Sequence, residues 1–157
     1  MFYDKIDRTK LSLGKPQDFN DEGKFLIPVY YDGVELNFAL KNKYVVIVGI
    51  ETNVFEKKFI TVKSKEYAEV VNDIADQLNC ASPIMADGSF RANLNSKTKF
   101  SEEVGHGSTF NACISLNFPT IFKDKRTTLQ INVRDIFITK IYKDELEVDI
   151  SKLEKAM

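Results

Sequence analysis

The sequence predicts a mainly β fold, an antiparallel β-barrel into which one amphipathic α-helix is inserted, and three observations favour it. Short segments of alternating apolar and polar residues recur along the chain, which is typical of strands with one buried face. Asp32 and Gly33 separate two of these segments, and this dipeptide is a strong hairpin signal. Residues 64–78 instead have the spacing of a helix. A β-sandwich with a helix lying on one end is the alternative.

The clearest strand pattern begins at residue 108. Alternate positions are apolar (Phe110, Ala112, Ile114, Leu116 and Phe118), and those between them are polar (Asn111, Cys113, Ser115 and Asn117). Pro119 ends the run, residues 123–126 make a charged turn, and a second strand follows over 128–141. From Ile136 to Ile141 both phases are apolar, which predicts that the strand is covered on both sides there. We expect two long strands joined by a cationic tip, with a row of Asn, Thr and Gln on an open polar face.

The rest of the chain supplies shorter strands and two flanking segments. The predicted strands are the hairpin arms 24–31 and 34–40, a central apolar strand 44–50, and further strands at 55–62 and 90–94. The predicted organisation is an irregular lead-in over 1–23 with a short strand at 10–13, a barrel over 24–141, and a mildly acidic tail over 142–157.

The helix is predicted to run from Ser64 to Leu78. The Ser64 hydroxyl is a good N-cap, and Asn79 and Pro83 are suited to ending the helix. Its apolar positions share one face (Tyr67, Val70, Val71, Ile74, Ala75 and Leu78). A helix inserted after the third or fourth strand of an open β-barrel is the OB architecture.

Length and composition indicate one ordinary globular domain. The chain has 157 residues, of which 43% are hydrophobic. No apolar stretch is long enough to span a membrane, and the start does not have the pattern of a signal peptide, so we expect a protein of the host-cell cytoplasm. Two cysteines, Cys80 and Cys113, are too few for a disulfide framework and are expected to be reduced thiols.

Charge is distributed unevenly, although the net charge is only −1. Lys and Arg exceed Asp and Glu over 24–63, 87–100 and 108–141, whereas the helix, the 101–107 loop and both ends are acidic. The predicted strands are therefore the basic part of the molecule, and the local field matters more for a partner than the total charge.

Catalysis, metal ions and cofactors find little support in the sequence. His106 lies between two glycines with no nucleophile motif beside it. Glu102 and Glu103 lack a further ligand at metal-binding spacing, and no glycine-rich phosphate loop precedes a helix. We expect neither an enzyme nor a cofactor or metal site.

Basic and aromatic residues recur together in four clusters at or near the ends of strands. Binding of single-stranded nucleic acid needs aromatic faces for stacking and Lys or Arg along the phosphates. Each cluster alone is more simply explained by core phenylalanines and solvated lysines, but four clusters favour a binding surface. The candidate nucleic-acid-binding residues are Phe38, Lys41, Lys43 and Tyr44; Lys57, Lys58 and Phe59; Arg91, Lys97, Lys99 and Phe100; and Lys123, Lys125 and Arg126. Phe118 and Phe122 are the aromatic residues near the last three cations.

The layout resembles that of the OB-fold single-stranded DNA-binding proteins of bacteriophages and large DNA viruses. The resemblance spans roughly residues 24–141 and lies in the order of segments: a hairpin, the helix, residues 90–95, then strands at 107–116 and 129–140. It implies a protein that coats and protects exposed strands in DNA replication or recombination and contacts partner proteins through its C-terminal tail. Lys152 and Lys155 make this tail less acidic than is usual in that family.

Two functional hypotheses follow. The first is a sequence-tolerant single-stranded DNA-binding protein that performs no chemistry. The second is a structural or protein-interaction β-barrel, such as a virion or assembly component. Binding of a fluorescent oligothymidine at two salt concentrations distinguishes them, because only the first predicts salt-dependent affinity.

Overall fold

The structure is a computed structural model and describes residues 6–19, 23–40, 43–54, 56–105 and 107–142. No helix in these ranges is long and apolar enough to cross a membrane. The strands before the helix are β1 (Leu11–Leu13), β2 (Gln17–Phe19), β3 (Lys24–Tyr31), β4 (Val34–Phe38), β5 (Val45–Thr52) and β6 (Lys58–Lys63). Helix α1 spans Lys65–Gln77, and the strands after it are β7 (Phe90–Asn93), β8 (Lys99–Phe100), β9 (Thr109–Phe118), β10 (Thr120–Lys123), β11 (Thr127–Leu129) and β12 (Asn132–Tyr142).

Five strands form a closed barrel. Around the ring the order is β5, β6, β7, β12 and β9, and β9 pairs again with β5. All neighbours are antiparallel except β7 and β12, which meet in parallel at Asn93 and Asn132. The Asn93 N–H also donates to the Ile131 carbonyl at 2.7 Å. The fold is therefore an OB-fold-like β-barrel with one inserted helix, as the sequence predicts.

Helix α1 packs its apolar face against the barrel core. Ser64 is its N-cap, with Oγ accepting from the Tyr67 N–H at 3.3 Å, and Leu78 is its C-cap. Asn79, predicted as the C-cap, lies one residue further on in the left-handed conformation (φ 57°), which terminates the helix. Tyr67, Val71 and Ile74 are fully buried, so the predicted apolar face is confirmed.

Tyr67 joins the helix to two other parts of the chain. Its hydroxyl accepts from the Leu40 N–H at 2.9 Å and donates to the Ile114 carbonyl of β9 at 2.8 Å. Burial raises the pKa of Tyr67 to about 12. The buried phenol therefore satisfies two backbone groups that would otherwise lose their hydrogen bonds on leaving water.

The β3–β4 hairpin is confirmed, but it lies beside the ring. Asp32 and Gly33 adopt positive φ angles of 54° and 81°, as a tight primed turn requires. Strand β4 pairs with residues 116–118 of β9, beyond the residues 109–112 that pair with β5, and is not part of the ring. Helix α1 therefore follows the second strand of the ring rather than the third or fourth. Strands β1 and β2 pair with β3, so the segment before residue 24 is more regular than the predicted lead-in.

The predicted cationic tip does not join the two longest strands. Pro119 does end β9, but the chain then forms a separate hairpin, β10–β11, whose first strand pairs with β3. The charged residues form the turn of this short hairpin. Strand β12 begins only afterwards and returns along β9.

The prediction that β12 is covered on both sides near its end is wrong. Ile136 and Ile138 are buried, whereas Phe137 is 64% exposed and Ile141 is 44% exposed. Phe137 lies opposite the outward Cys113 and Ile141 lies opposite the buried Phe110, so the exposed apolar residues near the end of β12 are on both of its sides. The predicted tail beyond Tyr142 lies outside the described residues.

Candidate nucleic-acid interface

The outward side of β9 and its neighbours forms one continuous surface, which we call the β9 outer face. Alternation along β9 directs Asn111, Cys113, Ser115 and Asn117 away from the core. Because residues opposite each other in paired strands share a face, the strand register identifies their neighbours. On β12 these are Phe137, Lys140 and Tyr142, and on β5 they are Val46 and Val48.

Three exposed aromatic side chains flank the polar row of this face. Phe137 lies opposite Cys113 and is 64% exposed. Tyr142, 39% exposed, lies opposite Thr109, and the Lys140 ammonium is 4.8 Å from its ring centroid. Tyr44 is 60% exposed and directly precedes β5. It is two residues before Val46, so the two side chains are on the same side of the extended chain. The face therefore offers rings on both sides of β9 with a cation beside one of them.

The polar row itself is less open than the sequence predicts. Ser115 and Asn117 are buried, and each donates a hydrogen bond to a side chain of the same face. Ser115 donates to Asp135 at 2.8 Å, and Asn117 Nδ2 donates to Asn37 Oδ1 at 2.9 Å. Among the described residues, the buried Asn111 Oδ1 has no hydrogen-bond partner, so only part of the row is hydrogen-bonded. The more accessible side chains of this face are those that flank the row.

One end of the β9 outer face opens into a cleft that brings basic side chains together, which we call the polar cleft. Lys97 and Lys99, both predicted site residues, line it with Arg134, and all three are exposed. Asn117 lines the cleft as well, and Glu35 contributes one carboxylate. Its other lining residues are Asn95, Ser96, Asn132 and Val133.

A second cleft collects three more of the predicted residues but is not basic. Lys57, Lys58 and Phe100 line it, and Phe100 is 36% exposed. Three glutamates line the same cleft, namely Glu56, Glu102 and Glu103. These carboxylates outnumber the two lysines, so this cleft is a poorer site for phosphate than the polar cleft.

Two predicted stacking residues are excluded by burial. Phe38 is fully buried and packs edge-on against Tyr67, with ring centroids 5.9 Å apart. Phe59 is only 7% exposed, and the Arg91 guanidinium lies 4.7 Å from its centroid. The prediction that these rings stack on bases is wrong, because Phe38 belongs to the core and Arg91 covers Phe59.

The remaining predicted cations are dispersed. Lys43 donates to Glu66 of α1 at 2.8 Å, and this hydrogen bond lowers the pKa of Glu66. Lys41 lies outside the described residues. Lys123, Lys125 and Arg126 are exposed at the β10–β11 tip, which β3 and β4 separate from β9.

Groups for chemistry are sparse in the described part of the chain. Burial raises the pKa of the Cys80 thiol to about 11 and also raises the pKa of Cys113, so neither thiol is activated as a nucleophile. Within the described ranges, no group of three His, Cys, Asp or Glu side chains is placed to hold a metal ion. His106 is not among the described residues.

Sequence reasoning missed four residues that the structure places on the β9 outer face or in the polar cleft: Arg134, Phe137, Lys140 and Tyr142. The adjacent apolar residues from Ile136 onward are the sequence signal for Phe137, but the same pattern is typical of a strand that is buried on both sides. The register of β12 shifts at Arg134 and again at Thr139, directly before Lys140. Such irregularities can redirect side chains, which simple alternation does not predict.

Comparison with known proteins gives a family and a full-length relative. The model of DUF5482, a family of unknown function, matches residues 1–157. The chain is also 48% identical over 159 residues to "Uncharacterized killer plasmid pGKl-2 protein 5" of Kluyveromyces lactis, with 100% of each chain covered. No solved structure matches the chain.

Proposed function

We propose that this chain, which belongs to DUF5482, is a sequence-tolerant single-stranded DNA-binding protein that uses its β9 outer face. The observation that carries the proposal is the placement of three exposed aromatic rings (Tyr44, Phe137 and Tyr142) beside β9. Exposed rings on the face of an OB-fold-like barrel are the stacking platform that single strands need.

Stacking supplies the main attraction in this proposal. Phe137 has no polar group to satisfy, so its exposure leaves an apolar ring in water without compensation. A base covering the ring removes that apolar surface, and any base has a suitable π face. This explains why the proposed binding does not depend on sequence.

Phosphate contacts come from the cations that border the same face. Lys140 lies beside Tyr142, and Lys97, Lys99 and Arg134 surround the polar cleft at the other end of β9. Asp135 and Glu35 reduce the local positive charge. We therefore expect binding that weakens appreciably with salt, with a slope set by few phosphates.

The biological setting is part of the same proposal. The name of the Kluyveromyces lactis relative assigns that protein to a killer plasmid. A protein that coats exposed strands serves the replication or recombination of such an extrachromosomal DNA, and we propose this role for the present chain. The sequence-based prediction named bacteriophages and viruses, which like plasmids replicate separately from the host chromosome.

The test is fluorescence anisotropy with labelled oligothymidine and purified full-length protein. Phe137→Ala is expected to weaken binding about 10- to 100-fold, because one base–aromatic stack contributes about 1–3 kcal/mol. Phe137→Tyr keeps the ring and is expected to bind nearly as the wild type does.

Tyr30→Ala is the matched control, because Tyr30 is 37% exposed but belongs to β3, outside the barrel ring. It should leave affinity unchanged. The proposal is wrong if the wild type does not bind oligothymidine at low salt. In that case the exposed Phe137 and Ile141 favour the protein-interaction hypothesis.

A further inference from the structure

We propose that the polar cleft is a subsite for one nucleotide of the bound strand, in which Asn117 Oδ1 accepts a base N–H and the surrounding cations hold the adjacent phosphates. This inference rests on the proposed function and adds to it a specific contact on the base. It concerns the cleft at the β4 and β8 end of the β9 outer face, away from the exposed aromatic rings.

The orientation of the Asn117 amide is fixed by its neighbours. Nδ2 donates to the Leu36 carbonyl at 3.3 Å and to Asn37 Oδ1 at 2.9 Å. A backbone carbonyl only accepts, so the amide cannot be reversed without losing this bond. Both Nδ2 hydrogens are used by these acceptors, and within the described part of the chain no group donates to Oδ1, which leaves this oxygen as the acceptor for a ligand.

This acceptor belongs to a residue that is only 9% exposed yet lines the cleft. A polar side chain that is preorganised at the floor of a cleft costs little to order when a ligand binds. The ligand must therefore bring a donor to the floor. Glu35 at the rim is a second acceptor and disfavours a phosphate on that side.

The opposite requirement holds at the cationic side of the cleft. Lys97, Lys99 and Arg134 supply only donors and positive charge, which suit phosphate oxygens. The cleft volume is about 390 Å³, within the range of pockets that enclose small ligands. A nucleotide combines a planar N–H donor with a phosphate at either end, and so meets both requirements.

Continuity with the aromatic residues supports a shared strand. Asn117 and Cys113, the partner of Phe137, are on the same side of β9. Four residues of a strand span roughly 13 Å, at about 3.3 Å per residue. One extended chain stacking on Phe137 can thus continue into the polar cleft.

The contact is compatible with sequence tolerance. On its Watson–Crick edge adenine carries an N6 hydrogen, cytosine an N4 hydrogen, guanine an N1 hydrogen and thymine an N3 hydrogen. A single acceptor on the protein therefore serves all four bases, whereas a donor–acceptor pair would discriminate among them.

The test changes the ligand and leaves the protein intact. Oligothymidine in which every thymine is methylated at N3 keeps its phosphates and its stacking faces but has no N3 donor. The wild type is expected to bind it about 10-fold more weakly than unmodified oligothymidine. Oligodeoxyuridine, which retains the N3 hydrogen, is the control for a changed base and should bind like oligothymidine.

A second measurement locates the contact. In ¹⁵N-labelled wild type, the Asn117 side-chain amide resonances should shift with oligothymidine and much less with the N3-methylated strand. Asn117→Ala, if it folds, should bind both strands equally.

Equal affinity of the wild type for the methylated and unmodified strands would overturn the inference. If binding still depends on Phe137 in that case, the proposed function stands and only the hydrogen bond to the base is ruled out. If the wild type binds no strand, the proposed function fails as well.

Discussion

The two sides of β9 have different chemical roles although they alternate residue by residue. Inward side chains such as Phe110 and Leu116 are fully buried in the core, and their surroundings are apolar. The outward Ser115 and Asn117 are hydrogen-bonded to neighbouring side chains, and the outward row is flanked by exposed rings. Under the proposed function, substitutions of inward side chains should lower stability and leave affinity unchanged, whereas substitutions of the exposed rings should lower affinity and leave stability unchanged.

The largest expected effect is on the inward side. Leu116→Ala should lower the free energy of unfolding by about 2–5 kcal/mol, because it removes buried apolar atoms and leaves a cavity. Urea denaturation measures the loss. The affinity of the folded fraction for oligothymidine should not change, and a parallel loss of affinity would contradict the separation of the two sides.

The next effect concerns the buried Tyr67 hydroxyl. Tyr67→Phe leaves the Leu40 N–H and the Ile114 carbonyl without this partner, which should cost about 1–3 kcal/mol near neutral pH. Urea denaturation at a series of pH values measures it. A cost below half of a kcal/mol, judged against the ~1 kcal/mol of an ordinary hydrogen bond, would mean that water replaces the hydroxyl.

The loss of stability caused by Tyr67→Phe should become smaller at alkaline pH. The pKa of Tyr67 rises to about 12 in the folded protein, so between pH 10 and 12 the unfolded chain has lost a proton that the folded state retains. Wild-type stability therefore falls over this interval, by roughly 2–3 kcal/mol from this group alone. The phenylalanine variant lacks the effect, and the two stabilities should converge toward pH 12.

The smallest effect tests which cations border the outward side. Changing Lys97 and Lys99 together to alanine should reduce the salt dependence of oligothymidine binding, by about 0.7 in the logarithmic slope for each phosphate that is no longer neutralised. The charge-matched control changes Lys125 and Arg126 at the β10–β11 tip, which β9 does not contact through direct strand pairing. Anisotropy titrations over a salt series give both slopes. A larger change of the salt slope in the control variant would indicate that the β10–β11 tip, and not the polar cleft, contacts the phosphates.

Local sequence patterns predicted the elements that local physics determines. The alternation after residue 108 identified β9 and its core side, Ser64 identified the start of α1, and Asp32-Gly33 identified the hairpin turn. Each depends on residues close together in sequence. Period-2 alternation assigns residues to a common face, but it does not reveal whether another element covers that face.

The candidate site depends on long-range pairing and was predicted less well. Phe38 and Tyr44 were assigned to one cluster because they are near each other in sequence, yet Phe38 is in the core and Tyr44 is exposed. Phe137 joins the interface only because β12 lies beside β9 in a particular register. That register is set by core packing and turn geometry across the whole fold.

The shared position of β9 has a consequence for the order of folding. Leu36 in β4 pairs with Phe118, and Val45 in β5 pairs with Ala112, so β4 and β5 each lack one sheet partner until β9 exists. The ring then closes only when β12 has been added. During synthesis, the nascent chain must therefore emerge almost to Tyr142 before its barrel can form, and pairings of such wide sequence separation make folding slow.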